Sequence, residues 1–145
     1  MRAAVQHWGA TGLEIGGHMP GDHLIAGDPA EGTRSLTLDA HPEAIFDHLF
    51  DMGLAESLNL VVAHQVQPHT LVMTLPEKEL LGHRLNFTLA YRLVRSGPYT
   101  RIVTRTRVSC QGTFGSLIER VLLRRDAAIS KRQLLSLKAR VEPPR

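Results

Sequence analysis

The clearest signal along the chain is alternation. Between Thr33 and Asp39, Leu36 and Leu38 point one way while Ser35, Thr37 and Asp39 point the other, the period of a half-buried strand. Asp39-Ala40-His41-Pro42 ends that pattern. Pro42 has the fixed φ suited to a first helical turn, and Glu43 stands near the positive end of the helix dipole. Ile45, Phe46, Leu49, Phe50 and Met52 then recur at helical spacing, and Gly53 is the residue that most readily takes the left-handed conformation closing a helix. The stretch reads as strand, tight corner, helix and stop.

The next segments read as strands. Leu58, Leu60, Val62, His64 and Val66 alternate with Asn59, Val61, Ala63 and Gln65, and Gln67-Pro68-His69 turns the chain into Thr70 to Leu75 as a hairpin. The pattern lapses from Pro76 to Arg84. The strongest strand follows, with Leu85, Phe87, Leu89, Tyr91 and Leu93 on one face and Asn86, Thr88, Ala90 and Arg92 on the other. After the turn at Ser96-Gly97-Pro98, Ile102, Thr104, Thr106, Val108 and Cys110 are expected inside and Arg101, Arg105 and Arg107 outside, a second hairpin. Phe114 to Val141 is a long terminal helix ended by Pro143 and Pro144. Phe114, Leu117, Ile118, Val121, Leu122, Ala128 and Ile129 are its expected buried surface, with a bend near Arg124-Arg125-Asp126 where Arg125 intrudes. Residues 1–32, rich in glycine with Pro20 and Pro29, form an irregular leader ahead of a domain spanning 33–142.

Composition narrows the class. At 145 residues the chain fits one domain, a size that buries about two-thirds of its unfolded surface and needs no disulfide or metal to fold. It is 43% hydrophobic and 21% charged, and no apolar run approaches the roughly 20 residues of a membrane span. The N-terminal MRAAVQHWGATGLEIGGHM lacks the continuous apolar core of a secretion signal, and Cys110 has no cysteine partner, so a reducing cytoplasm is the expected location.

The net charge is +3, and much of the excess falls in the terminal helix. Arg120, Arg124, Arg125, Lys131, Arg132, Lys138 and Arg140 all lie there, and Arg120, Arg124, Lys131 and Lys138 share an edge. This reads as a solvated face, with attraction to acidic lipid headgroups or nucleic acid as the lesser alternative. No RNA-binding aromatic motif or zinc-finger spacing is present, so neither a nucleic-acid partner nor integral membrane association is expected.

The order of strand, short helix, antiparallel hairpins and long terminal helix resembles the START/Bet v 1-like superfamily, also described as SRPBCC or polyketide cyclase/dehydrase and lipid-transport proteins. "TRSLTLDAHPEAIFDHLFDMG" is similar to that family's opening strand and helix. "WGATGLEIGGHMPGDHLI" resembles the leader of a bacterial branch that places Pro-Gly-Asp before strand one, "LNFTLAYRLVRSGPYTRIVTRTRV" resembles the last two strands, and "LLSLKARVE" resembles the helix end. The resemblance implies an α+β helix-grip fold, a curved antiparallel sheet wrapped around a long C-terminal helix, with a cavity between them for an apolar small molecule. The family usually places more residues between first helix and last hairpin than Leu54 to Arg84 provides. The cavity is therefore expected to be small or open, and the shortened sheet to leave an edge that a homodimer would cover.

The inward faces supply the candidate site. Val62, His64, Phe87, Leu89, Tyr91, Thr104 and Thr106 on the strands, with Leu117 and Val121 on the helix, are the expected ligand-binding residues. His64 and Tyr91 are the polar members that could hydrogen-bond a ligand or, as a pair, move a proton in a cyclisation or dehydration, as some members of the resembled family do. The blander alternative is a His64 at a strand end and a Tyr91 that is a core aromatic.

Other chemistry finds little support. His41 and His48 lie two helical turns apart, about 10 Å, too far to share one ion with ligand bonds of about 2 Å. No HxxxH, CxxC or HExxH pattern occurs, and Cys110 reads as a small buried hydrophobe. With no nucleophile elbow and no glycine-rich phosphate loop, neither metal nor cofactor is expected. Non-enzymatic binding or carriage of a lipid, polyketide or aromatic metabolite is the leading expectation. A cyclase or dehydratase and an interaction protein with a collapsed pocket are the alternatives.

Overall fold

A computed structural model describes residues 7–76, 78–80 and 83–142, and in it the alternating segments form one six-stranded antiparallel sheet. The elements in chain order are α1 (Gly12–Gly16), a 3-10 turn (Asp22–Leu24), β1 (Ala30–Leu38), and α2 (Pro42–Ile45), which runs into a second 3-10 turn (Phe46–His48). Then come β2 (Val61–Val66), β3 (Thr70–Thr74), β4 (Lys78–Leu80), β5 (His83–Ser96), β6 (Tyr99–Cys110) and α3 (Gly115–Val141). Residues 1–6 of the expected leader, and the Pro143 and Pro144 expected to end the helix, lie outside the described residues.

The strand order is β1-β6-β5-β3-β2, with β4 pairing β5. α3 packs across β6 and β1, while α2 lies against β5. This is the helix-grip arrangement, α+β in class, in which a terminal helix closes one face of an antiparallel sheet. The inner face carries Leu38, Phe87, Leu89, Ile102 and Val108, which pack with Phe46, Leu49 and Leu54 from the α2 region and with Leu134 and Leu137 of α3. Each such side chain contributes about 1.5–3 kcal/mol by leaving water.

The leader is built into the fold. α1 opens with a reciprocal cap in which Thr11 and Glu14 bond each other's backbone amides. Upstream, His7 Nδ1 accepts from the Thr33 amide at 3.0 Å and the Trp8 carbonyl accepts from the Ser35 amide at 3.1 Å, so the free edge of β1 is covered. Gly9 makes this approach feasible, since it holds φ +72 and a Cβ there would stand 2.2 Å from the Ser35 carbonyl oxygen. Met19 then joins Val72, Ala90 and Val103 in a second apolar cluster on the outer face of the sheet. Arg105 is buried beneath this wrap, where it bonds Thr33, Asp22 and the carbonyls of Glu14, Ile15 and Gly17.

Five expectations need correction. The first strand begins at Ala30 rather than Thr33, because pairing with β6 extends back to Val108. The helix after Pro42 is α-helical only to Ile45 and 3-10 to His48; Gly53 has φ +61, but the close neighbour that requires it is Asp126 of α3. β2 starts at Val61 instead of Leu58 and is exposed along its whole length, since it is the sheet edge and α3 packs chiefly on β6 and β1. α3 is rotated from the expected phase: Leu123, Asp126, Ala127, Ser130, Leu134 and Leu137 are buried, whereas Phe114, Leu117, Val121 and Ala128 are exposed. Arg125 faces solvent, which removes the reason to expect a bend, and the helix runs unbroken from Gly115 to Val141.

Candidate functional site

The phase of α3 follows from one contact. Arg34 occupies an inward position of β1, in step with Leu36 and Leu38, and its Nη2 donates to Asp126 Oδ2 of α3 at 2.9 Å with both side chains fully buried. Thr106 lies between them, accepting from Arg34 and donating to the same carboxylate oxygen. The other carboxylate oxygen, Oδ1, accepts from the Leu54 amide at 2.9 Å. A buried ion pair needs its lone pairs satisfied to offset desolvation, and Asp126 meets that condition.

Arg34 does not. Its Nε and Nη1 are buried without a hydrogen-bond partner, and so are the hydroxyls of Thr104 and Tyr91. The register explains why these groups sit together: Thr104 of β6 is opposite Arg34 of β1 on one side and Tyr91 of β5 on the other. Directly opposed side chains in an antiparallel sheet stand about 5 Å apart, so the three form a polar rung across an otherwise apolar face. Burial pushes the Tyr91 hydroxyl far above its ordinary pKa; the Asp126 charge pushes the same way, and Arg34 and Thr104 offset part of it. Tyr91 is therefore a neutral O–H, able to donate, with the Thr104 hydroxyl as its cross-strand neighbour. Ser130, one helical turn after Asp126, also carries an unpartnered buried hydroxyl, and it faces Gly53.

The expected ligand-binding residues separate into two groups. Phe87, Leu89, Tyr91, Thr104 and Thr106 share the inner face and are all buried, so closely packed that almost no surface remains accessible beside them. Val62, His64, Leu117 and Val121 are exposed and do not line that interior. For His64 the reason is the bulge between Val62 and His64, which makes Val72 its cross-strand partner, and Val72 belongs to the outer-face cluster. His64 and Tyr91 thus belong to opposite faces of the sheet and do not form an acid–base pair. Arg34 and Asp126 were missed. The available signal was a pair of opposite charges, Arg34 in phase with Leu36 and Leu38 and Asp126 in phase with Leu123 and Leu134.

A surface groove of about 350 Å³ borders this network. It runs between the turn after α2, at Asp47, Asp51 and Met52, and the last turns of α3, at Gln133, Leu137 and Arg140. Gln133 also accepts from the Gly53 amide, so the wall of the groove is the segment that holds Asp126. Cys110 is a poor nucleophile: burial, and then the Glu119 carboxylate, raise its thiol. Among the described residues no group of three or more His, Cys, Asp or Glu is placed to hold a metal ion.

No family model matches the chain, and no curated protein matches it. Solved structures do resemble it. A conserved protein from Geobacillus kaustophilus is 15% identical, with 74% of this chain and 97% of that one covered and a TM-score of 0.48. A START superfamily protein from Mycobacterium smegmatis is 12% identical, with 77% and 96% covered and a TM-score of 0.40. An aromatase/cyclase from a Streptomyces species is 12% identical, with 79% and 92% covered and a TM-score of 0.39.

Proposed function

We propose that this chain binds a small apolar molecule bearing a carbonyl oxygen, held between the sheet and α3, in carriage or sequestration rather than catalysis. The observation that carries this reading is the rung of unpartnered polar groups, Arg34 Nε and Nη1, Thr104 and Tyr91, set among Phe87, Leu89 and other apolar side chains. Each buried group left without a partner costs about 1–3 kcal/mol, so an interior built only for stability would carry aliphatic residues there. Arg34 and the neutral Tyr91 offer donors. Asp126 already balances the charge of Arg34, which favours a neutral carbonyl over a carboxylate.

Phe87, Leu89, Tyr91, Thr104 and Thr106 would line the bound molecule. Entry is through the groove beside Met52 and Gln133, where separating the turn after α2 from α3 reaches the Asp126 network. The closed packing at Phe87 and Leu89 favours a second reading, an interaction protein that acts through its surface. The catalytic alternative has lost its pair, since His64 is exposed on the edge strand.

A native mass spectrum of protein purified without detergent, repeated after denaturation, tests the proposal together with an NMR titration using acetophenone as the apolar ketone. Bound mass that disappears on denaturation, or ketone-dependent shifts at Tyr91 and Thr104, supports it. An empty spectrum combined with no shift at those residues overturns it in favour of the surface-acting reading.

A further inference from the structure

The face that α3 turns to water is as unusual as the one it buries. Arg120, Arg124, Arg125, Lys131 and Arg132 are exposed there, and no exposed position from Phe114 to Ser136 carries a carboxylate. The two acids in that span are withdrawn: Glu119 accepts from the Cys110 amide, and Asp126 is buried on Arg34. Large apolar side chains are interleaved with the cations. Leu117 and Val121, one turn apart, are 53% and 52% exposed, Leu135 is 45% exposed, and Phe114 stands at the head of the same row at 63%. A helix face that merely solubilised the protein would mix charges of both signs and carry few large apolar groups.

We propose that this face of α3, from Phe114 to Leu135, docks on an anionic lipid surface. Charge complementarity supplies the attraction, each Lys or Arg near such a surface adding to it. The apolar groups choose between anionic partners, because Leu117 and Val121 gain from entering the boundary between headgroups and acyl chains but gain little from a phosphate backbone. Arg120 and Arg124 flank Leu117 and Val121 along the helix, and their long stems allow the guanidinium groups to stay at headgroup level while the apolar side chains go deeper. No helix among the described residues is long and apolar enough to cross a membrane, so the contact lies in the plane of the surface. This surface is separate from the interior rung, and its occupation does not depend on what binds there.

Cosedimentation with vesicles tests the proposal, comparing pure phosphatidylcholine with an equimolar mixture of phosphatidylcholine and phosphatidylglycerol. The full chain is expected on the mixed vesicles, to be released by salt, and to leave pure phosphatidylcholine vesicles unbound. Replacing Arg120, Arg124 and Arg125 together by Gln lowers the partition roughly tenfold or more. Leu117→Ser with Val121→Ser lowers it while leaving every charge in place, and because all five positions are exposed, circular dichroism will show these variants folded. No difference between the two vesicle types overturns the proposal. So does vesicle binding indifferent to the two Ser substitutions and matched by duplex DNA, which would mark a general polyanion surface.

Discussion

Arg34 and Asp126, 92 residues apart in sequence, meet at 2.9 Å with no solvent access to either side chain. This contact joins the first strand to the terminal helix through the middle of the fold. It sets the rotation of α3, draws the Leu54 amide onto the helix, and leaves the rest of the guanidinium pointing at a rung of hydroxyls.

The two charges should behave as a unit. Asp126→Leu or Arg34→Met alone leaves one buried charge uncompensated and should cost about 3–5 kcal/mol in urea unfolding. The double variant should recover most of that loss, because aliphatic side chains of similar volume fill the site without desolvating an ion. It should nevertheless bind no ketone. Additive losses in the two single variants would show that the residues do not act as a pair.

Tyr91 and His64 should behave in opposite ways. Tyr91→Phe removes a buried hydroxyl that bonds no backbone group and has the Thr104 hydroxyl beside it, so stability should stay within about 1 kcal/mol of the parent while affinity for an apolar ketone falls roughly tenfold. His64→Ala lies on an exposed edge and should stay within about 0.5 kcal/mol of the parent with binding unchanged. Urea midpoints and a ketone titration read both quantities. Loss of stability in Tyr91→Phe without loss of binding would return Tyr91 to an ordinary core aromatic.

What was legible in the sequence follows from what is local. Alternation locates β5 and β6 well because each strand has two chemically distinct faces, and it places Thr104, Thr106 and Tyr91 on the inner one. β2 shows the limit: Leu58 to Val66 alternates, but a bulge shifts His64 to the opposite phase and the edge position leaves Val61 to Val66 exposed. α3 shows the other limit. Leu117 and Val121 are more apolar than Asp126 and Ser130, yet the polar residues are buried because their partners, Arg34 and the Gly53 turn, come from elsewhere in the chain. Periodicity reads the hydrophobicity of one element and contains nothing about a charge waiting on another.

The leader carries a pH dependence with a definite sign. A hydrogen bond from Arg101, at 2.8 Å, holds the Glu14 carboxyl down at about 2, below its usual 4.5. A carboxylate depressed in the folded state contributes stability that is full above its unfolded pKa and is lost as pH falls through the folded one. The difference in Tm between the parent and Glu14→Gln should therefore be constant near neutrality, shrink as pH falls below 4.5, and be lost as pH falls through about 2. A difference independent of pH over that range would remove the ionised contact as its cause.

Arg105 is the residue on which the leader depends most. Its guanidinium bonds Asp22 at 2.7 Å and the carbonyls of Gly17, Glu14 and Ile15 at 2.8, 2.8 and 3.0 Å, while Nε donates to Thr33 at 2.8 Å. Those carbonyls belong to α1 and the residues after it, so one side chain from β6 fastens most of the wrap to the outer face. Arg105→Met keeps the apolar stem, and with it the contact with the sheet, but removes every donor. The leader should then open locally: limited proteolysis should cut between Gly12 and Asp22 roughly tenfold faster, with global stability lower by about 3 kcal/mol. Arg105→Lys should rescue only part of this, because a single ammonium cannot reach acceptors arranged around a planar fork. Unchanged cleavage in Arg105→Met would mean that Met19 and the covered edge of β1 hold the leader without it.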